Sequence, residues 1–287
     1  MEMTPFLNEI KSPFRNPIGK SKKLNGDYNG KIKIYSMNSQ NRGIFCFVNI
    51  NNFQRKKEKK REGGNIDRDK LVTLFREMGF VCYYYEDMSK DEFIEMLKKL
   101  SVRSDLPKYD CLVLSVSSHG NGDRNGNTTI EFSDGAMVYV NEIITYFSNV
   151  SCPHLLGKPK IFIFPSCRGP RTDRALEPME CDNCDSKPQE IDTITDPQQT
   201  FSHMKICFST VAGYSSFRDA ETGSWYVDVM SKVFWKYSSK MHLDNMLKII
   251  AEQMQEYVGE KNQMQTSCIE NIGFSKKLYF NPGFYEC

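Results

Sequence analysis

Short segments composed almost entirely of apolar residues alternate with amphipathic segments along this chain. The apolar segments 43–50, 111–118 and 160–164 have the length and composition of strands that are buried on both faces. Between them, residues 67–78 and 90–100 place apolar side chains at helical spacing. Because strands that alternate with helices build mainly parallel sheets covered by helices on both faces, the sequence predicts an α/β fold.

The remaining elements follow the same two patterns. We expect further strands at 80–85, 204–210 and 278–280, a hairpin at 128–140, and helices at 141–147, 225–237 and 244–257. Asp67 is the expected N-cap of the first helix, because an Asp side chain can accept bonds from the free N–H groups of a first turn.

The composition argues against several classes of protein. With 38 Lys and Arg against 36 Asp and Glu, the chain of 287 residues has a net charge of only +2, which does not favour binding to nucleic acid. Its apolar runs are shorter than the ~20 residues of a transmembrane helix, and its N-terminus lacks the pattern of a secretory signal. Ten cysteines are too few for a disulfide scaffold. We therefore expect reduced thiols, a cytoplasmic location and no membrane contact.

Three polar segments interrupt the pattern of apolar and amphipathic segments. Residues 1–42 show little periodic apolar pattern and are expected to form a short flexible leader. Residues 54–64, QRKKEKKREGG, form a basic run that is typical of a solvated loop. Residues 169–200 hold four prolines and almost no aliphatic side chain, which indicates a flexible linker inside one domain.

Cys167 and His119 each follow an expected buried strand. A thiolate nucleophile needs a neighbouring base, and it needs N–H donors directed at the developing oxyanion. Gly120 and Gly169 lie beside these two residues and allow the backbone to approach closely. Taken alone, the pattern leaves two interpretations open. The pair could form a nucleophilic site, or Cys167 could be a buried apolar residue and His119 an unrelated histidine.

A set of motifs resembles the caspase family from about residue 43 to 280. In chain order they are REGGNID at 61–67, Ser118-His119-Gly120, Cys167-Arg168-Gly169 at a strand end, GYSSFR at 213–218, Gly223-Ser224-Trp225 and SKKLYF at 275–280. The resemblance implies a three-layer sandwich with a six-stranded, mostly parallel sheet flanked by helices. It also implies a division into a large-subunit portion, residues 43–185, and a small-subunit portion, residues 186–287.

The resemblance implies roles for the matching positions. Cys167 would be the nucleophile, His119 the proton shuttle, and the backbone N–H groups of Gly120 and Cys167 the oxyanion hole. Arg61 and Arg218 would bind the carboxylate of P1, the substrate residue on the N-terminal side of the cleaved bond. Guanidinium groups suit this role because they form bidentate, charge-assisted bonds that compensate for desolvation of an acid.

The sequence departs from the family pattern around the substrate. Pro165 stands where caspases usually have a Gln that lines the P1 pocket, and some insect initiator caspases also have Pro there. Because Pro cannot donate a hydrogen bond, we expect weaker discrimination between Asp and Glu. Ser216 and Phe217 belong to the same substrate-binding segment, in which Phe replaces the usual Trp and widens the space for P2. A short segment between 255 and 265 predicts a shallow P4 pocket.

The predicted function is that of a cysteine endopeptidase that cleaves proteins after Asp, with Glu as a second candidate, in programmed cell death. Caspases are made as zymogens that are cut after Asp in the linker. The bond after Asp185 has the best local sequence, and Asp192 is the next candidate. Asp27 is the candidate for removal of the leader.

The expected assembly is a homodimer of large-plus-small units, with inhibitor-of-apoptosis proteins or other caspases as further partners. We expect no cofactor and no metal, because Cys181 and Cys184 have no second pair at ligand spacing. The alternative function is that of a non-catalytic caspase homologue that regulates a true caspase by heterodimerisation.

Overall fold

A computed structural model of the chain describes residues 3–22, 32–54, 61–122, 127–174 and 199–284. The proposed cleavage positions Asp27, Asp185 and Asp192 lie outside the described residues, as do Cys181 and Cys184. In the described part of the chain, every helix is too short or too polar to cross a bilayer.

The described residues form alternating strands and helices. The strands are β1 (Gly43–Asn49), β2 (Phe80–Glu86), β3 (Cys111–Ser117), β4 (Gly120–Gly122), β5 (Thr128–Glu131), β6 (Met137–Tyr139), β7 (Lys160–Phe164), β8 (Asp173–Arg174), β9 (Met204–Phe208), β10 (Arg218–Asp219), β11 (Gly223–Ser224), β12 (Gln263–Met264) and β13 (Cys268–Ile272). The helices are α1 (Gly64–Glu77), α2 (Lys90–Ser101), α3 (Val140–Thr145), α4 (Trp225–Tyr237) and α5 (Leu243–Gln255).

Six strands form the central sheet in the order β13-β9-β7-β3-β1-β2. All neighbouring pairs are parallel except β13 and β9, which are antiparallel. The residues of β1, β3, β7 and β9 are all buried, as expected for strands covered on both faces. The predicted six-stranded, mostly parallel sheet is confirmed.

Helices cover both faces of the sheet and enclose two apolar cores. One core packs the buried side chains of α1, α4 and α5 against one face. The other packs those of α2 and α3 against the opposite face. The structure is therefore the predicted three-layer arrangement.

The first helix begins earlier than the sequence suggested. Helix α1 starts at Gly64, and its N-cap is Gly63, whose φ of 81° lies in the left-handed region that glycine adopts without strain. The expectation that Asp67 is the N-cap is wrong. Asp67 lies inside the helix with 0% side-chain exposure, where its carboxylate accepts a bond from the N–H of Ser224.

One edge of the central sheet is formed by a strand that the sequence pattern did not predict. The sixth strand is β13, and no strand forms at 278–280, where we expected one. Strand β13 is a partly exposed edge strand, so its residues do not show the continuous apolar run of the buried strands. Leu278 and Phe280 instead pack in the core beside α1 and α4, and the Phe280 ring contacts Phe75 and Phe234.

The described parts of residues 1–42 pack against the body of the protein, in contrast to the flexible leader predicted from their composition. The Phe14 ring stacks on Trp235 at 3.9 Å between centroids, and the indole N–H of Trp235 donates to the carbonyl of Asn16. Ile18 and Tyr35 are buried in the core that contains α1 and α4. Sparse apolar residues without helical or strand spacing therefore suffice to fasten this segment, because the groove that receives them is supplied by the rest of the fold.

Candidate active site

Two neighbouring parallel strands place Cys167 and His119 at one edge of the sheet. Strands β3 and β7 pair with Ser115 opposite Ile163, so the residues that follow them emerge side by side. The N–H of Ser118 donates to the Ser166 hydroxyl at 3.4 Å across this junction. The two residues singled out in the sequence are thereby brought to the same surface.

A cavity of about 340 Å³ opens at this edge, and we call it the Cys167 cavity. Its lining contains every predicted catalytic and substrate-binding side chain. The lining residues are Arg61, Glu62, Ser118, His119, Pro165, Cys167, Ser216, Phe217, Arg218, Ala220 and Ser224. A thiol, an imidazole and two guanidinium groups therefore share one concave site, which is an arrangement that could attack an acidic substrate.

The thiol of Cys167 is half-buried and faces the segment that contains Ser216. The backbone N–H of Ser216 donates to Cys167 Sγ at 3.3 Å, and the Ser216 carbonyl lies 3.6 Å from the same sulfur. The sulfur therefore contacts both backbone groups of Ser216. Burial raises the pKa of Cys82 and Cys207 to about 12 and keeps both of those thiols protonated.

His119 is held by its backbone and by an aromatic neighbour. Its carbonyl accepts a bond of 2.9 Å from the N–H of Glu131, and its ring lies 4.9 Å from the ring of Phe53. The hydroxyl of Ser118 donates to the carbonyl of Glu131 and ties the same turn to β5. These contacts restrict the histidine to the rim of the Cys167 cavity.

Gly120 and Gly169 are required by close packing near Cys167. A Cβ atom on Gly120 would lie 2.3 Å from the carbonyl oxygen of Cys167, which is a severe clash with backbone. A Cβ atom on Gly169 would lie 2.4 Å from the backbone carbon of Gly213. The sequence prediction that these glycines permit close backbone approach therefore agrees with the geometry.

Arg61 is fastened to the carboxyl ends of two strands. One of its terminal nitrogens donates to the carbonyls of Ile50 and Ser117 at 2.7 and 3.2 Å, and the other donates to the Ser117 hydroxyl at 3.0 Å. These bonds fix a long side chain in the wall of the cavity.

Arg218 is held from the opposite side by a short hairpin formed by β10 and β11. Its Nε donates to the hydroxyl of Ser224 at 3.2 Å, and the carboxylate of Asp67 lies 3.9 Å from the same nitrogen. Desolvation lowers the pKa of Arg218 to about 10, so the guanidinium remains charged at neutral pH but is poorly hydrated. An anion that enters the cavity would therefore gain strongly from contact with it.

Gln265 holds the segment that precedes Arg218 through two hydrogen bonds of its side chain. Its side-chain oxygen accepts the N–H of Phe217 at 2.7 Å, and its side-chain nitrogen donates to the carbonyl of Ser209 at 2.8 Å. The Gln265 residue is only 1% exposed. One buried amide thus ties the substrate-binding segment to the end of β9.

The sequence gave no indication that Glu62, Asp67, Ser224 and Gln265 belong to the site, and it predicted Asp67 only as a helix N-cap. Asp67 and Ser224 lie within quoted motifs, but their partnership joins residues 157 positions apart and has no local signal. Gln265 lies in the segment considered only for its length. Glu62 lies within the basic run 54–64, which the sequence predicts to be a solvated loop.

A second, larger cleft adjoins the Cys167 cavity and shares Phe217 and Arg218 with it. It has a volume of about 530 Å³, and its walls include Trp225 and Tyr257, whose rings lie 4.9 Å apart. Several lining residues of this cleft, among them Tyr257, Gly259 and Gln263, belong to the short 255–265 segment, and the shallow P4 pocket expected there stays a prediction.

Comparison with known proteins identifies the family. The caspase domain model matches residues 42–279. Caspase Dronc from Drosophila melanogaster is 31% identical, over 99% of this chain and 65% of its own. Caspase-2 from Gallus gallus is 28% identical over 78% of this chain and 54% of its own, and caspase-6 from Mus musculus is 26% identical over 86% and 92%. The chain thus spans just under two thirds of Dronc and about half of that caspase-2.

Solved structures agree with the sequence matches. The crystal structure of the Drosophila initiator caspase Dronc superposes with a TM-score of 0.79 at 28% identity, covering 99% of this chain and all of that one. Caspase-1 from Spodoptera frugiperda, at 22% identity, has the same fold with a TM-score of 0.76 over 92% of this chain and 98% of its own. With its fold, its cavity and a matching domain that covers most of its length, the chain belongs to the caspase family of cysteine peptidases.

Proposed function

We propose that this chain is a catalytically active cysteine endopeptidase that cleaves proteins after an acidic residue. The observation that carries the proposal is the common lining of one cavity by Cys167, His119, Arg61 and Arg218. A non-catalytic homologue would not need all four side chains in one place. Retention of the complete set therefore favours the enzyme over a regulator that acts only by heterodimerisation.

In the proposed reaction, His119 takes the proton of the Cys167 thiol and the thiolate attacks the carbonyl carbon of the scissile bond. The backbone N–H groups of Gly120 and Cys167 stabilise the oxyanion of the tetrahedral intermediate. His119 then donates its proton to the leaving amine nitrogen, the C–N bond breaks, and a thioester remains. Water, deprotonated by His119, hydrolyses the thioester, releases the carboxylic acid and restores the thiol.

Arg61 and Arg218 account for the preference for an acid at P1. A P1 carboxylate loses its hydration in the cavity, and two guanidinium groups compensate with charge-assisted bonds. Pro165 adds no donor at the third wall of the cavity. Asp is therefore the proposed P1 residue, with Glu accepted less well.

The direct test replaces Cys167 or His119 by Ala and measures turnover of fluorogenic tetrapeptides that end in Asp. Either change should lower kcat by about 10³-fold or more, because each removes half of the nucleophile–base pair. Cys46→Ala is the matched control, since the Cys46 thiol is fully buried and burial raises its pKa far above the ordinary range. Turnover within tenfold of wild type in Cys167→Ala would contradict the assignment of Cys167 as the nucleophile. A wild-type protein that turns over none of these peptides would favour the non-catalytic alternative.

Activation by cleavage in the linker is part of the proposal. Asp185 is the preferred position and Asp192 the next, and removal of the leader after Asp27 is proposed on weaker grounds. Asp185→Ala should slow the conversion of the 33.2 kDa chain into a large and a small piece, as followed by mass spectrometry. Asp196→Ala is the control, because Pro197 follows Asp196 and makes that bond a poor one to cut. Absence of a cut after Asp185 in wild type would exclude that site.

We propose that the active form is a homodimer of large-plus-small units joined along the exposed edge of β13. Support comes from that edge itself, which is unpaired in the described chain and carries the partly exposed Ile269. Ile269→Lys should shift sedimentation toward monomer, whereas Val150→Lys, at an exposed position elsewhere, should not. An unchanged dimer in Ile269→Lys would exclude this edge.

A role in programmed cell death and regulation by inhibitor-of-apoptosis proteins or other caspases complete the proposal. Depletion of the protein from cells undergoing such death tests that role.

A further inference from the structure

Behind the Cys167 cavity lies a buried carboxylate that the proposed reaction does not use. Asp67 accepts two bonds from Ser224, one of 2.8 Å from its backbone N–H and one of 2.5 Å from its hydroxyl. The Asp67 side chain has 0% exposure, whereas Arg218, 3.9 Å away, retains 17%. A wholly buried acid thus lies directly behind a cation that lines the substrate cavity.

The direction of the hydrogen bonds is set by the chemistry of the three groups. A carboxylate only accepts hydrogen bonds, so the Ser224 hydroxyl donates its hydrogen bond to Asp67. The lone pairs of the Ser224 oxygen are then available to accept the Nε proton of Arg218 at 3.2 Å. With Nε engaged in this way, the two terminal nitrogens of the guanidinium remain available to form a bidentate pair with a carboxylate in the cavity.

Close packing prevents this arrangement from relaxing. A Cβ atom on Gly223 would lie 2.4 Å from a carboxylate oxygen of Asp67, and one on Gly63 would lie 3.0 Å from Cδ of Arg218. The first turn of α1 is therefore pressed against the β10–β11 hairpin, with Asp67 as its main polar contact.

We propose that Asp67 is a positioning residue for substrate recognition, which acts through Ser224 to hold the Arg218 guanidinium in the orientation that binds an acidic P1 side chain. This inference rests on the proposed function and names a residue on which its P1 specificity depends. Asp67 does not touch the substrate, and its contribution is to the placement of Arg218.

The ionisation of Asp67 provides a readout that a purely structural residue would not give. Burial raises the pKa of Asp67 to about 7, against the lowering effects of the Ser224 bonds and of Lys70 on the same helix, while Asp228 of α4 raises it further. Arg218 of β10 faces the same carboxylate. As pH falls through about 7, the charge that draws in Ser224 and Arg218 is lost. Binding of an acidic P1 residue should therefore weaken between pH 8 and pH 6.

The raised pKa of Asp67 also allows its effect on substrate binding to be distinguished from its effect on the stability of the fold. Because folding raises the pKa of Asp67 above its ordinary value, the wild-type protein loses stability as pH rises toward and through about 7. Asp67→Asn removes this penalty and keeps the size of the side chain. Above pH 7 we therefore expect the variant to bind substrate less well without a matching fall in Tm.

The first experiment compares Asp67→Asn with Asp69→Asn in the full-length chain. Asp69 is a partly exposed acid on the same helix and pairs with Arg68, so it is a matched control. With peptides ending in Asp at pH 8, Asp67→Asn should raise KM about tenfold or more and change kcat by less than about threefold. Asp69→Asn should change neither. Ser224→Ala, which removes only the hydroxyl, should raise KM in the same direction and to a smaller extent.

The second experiment measures peptide binding without catalysis. In the Cys167→Ala background, the Kd of an Asp-ending peptide should rise between pH 8 and pH 6, and Asp67→Asn should flatten this dependence. His119, Glu62, Arg61 and Arg218 line the cavity in both proteins, so the difference between the two curves reports on Asp67.

The outcomes distinguish the two proposals. If wild type cleaves Asp-ending peptides and Asp67→Asn leaves KM unchanged, the positioning role is overturned and the proposed function stands. A Kd that does not depend on pH between 6 and 8 in Cys167→Ala also overturns it, even if Asp67→Asn fails to fold. If wild type cleaves no peptide and Cys167→Ala binds none, the proposed function fails and this inference fails with it.

Discussion

The two arginines of the Cys167 cavity are held in different ways. Arg61 is bound by neutral groups at the ends of β1 and β3, namely the carbonyls of Ile50 and Ser117 and the Ser117 hydroxyl. Arg218 is bound by one hydroxyl and has a buried carboxylate 3.9 Å away. Arg61 is therefore fixed at the ends of two strands of the central sheet. The orientation of Arg218 depends on the β10–β11 hairpin and on the charge of Asp67.

The difference teaches where substrate recognition is robust and where it is adjustable. The carbonyls around Arg61 do not titrate, and they lie at the ends of β1 and β3, whose residues are all buried. Asp67 titrates near neutral pH, and the hairpin that carries Arg218 is only two short strands. Changes in pH or in local packing should therefore act on recognition through Arg218 before they act through Arg61.

The largest expected effect comes from removing either arginine. Arg61→Ala and Arg218→Ala should each lower kcat/KM for Asp-ending peptides by about 100-fold or more, because charge-assisted bonds to buried acids contribute ~1.5–3 kcal/mol each. They should differ in stability. Arg61→Ala removes the guanidinium donor from the Ile50 carbonyl and leaves the Ser117 carbonyl with only the N–H of Ile50, so it should lower Tm. Arg218→Ala relieves the desolvation that lowers the pKa of Arg218, so it should lower Tm less. Equal losses of Tm, measured by calorimetry, would contradict the contrast between the two anchors.

A smaller effect is expected in the choice between Asp and Glu at P1. Pro165 provides no donor, so the kcat/KM for Asp should exceed that for Glu by less than about a hundredfold. Asn should be poorer than both, because a neutral P1 residue leaves two guanidinium groups uncompensated. The measurement uses matched tetrapeptides ending in Asp, Glu and Asn. A ratio of Asp to Glu above about a thousand would show that Pro165 does not loosen the cavity.

The smallest expected effect concerns Gln265, which fixes Phe217 and so approaches Arg218 from the other side. Gln265→Ala should raise KM for Asp-ending peptides about three- to tenfold, since it leaves the Phe217 N–H and the Ser209 carbonyl without their partner. Gln253→Ala, at an exposed position on α5, is the control. A KM equal to that of wild type would show that the hairpin alone places Arg218.

The sequence predicted the parts of this protein that local pattern controls. The strands buried on both faces produced continuous apolar runs, and β1, β3, β7 and β9 were found at or within a few residues of their actual bounds. The edge strand β13 was missed, because one exposed side removes that signal. The sequence predicts a mobile N-terminal segment, whereas its described part is packed. The groove that holds Phe14 and Ile18 is formed by helices that are distant in sequence, so no local pattern indicates it.

The candidate site shows the same division between what local sequence indicates and what tertiary packing decides. Cys167 and His119 could be singled out as reactive residue types beside glycines at strand ends, whereas Arg61 and Arg218 could be named only through the resemblance of their segments to caspase motifs. Their meeting in one cavity, and the placement of Arg218 by Asp67 and Ser224, were decided by tertiary structure alone. The physical reason is that a hydrogen bond between residues 157 positions apart leaves no periodicity in the chain. Sequence determines which groups are available, and packing determines which of them are buried together and so acquire altered ionisation and directed bonds.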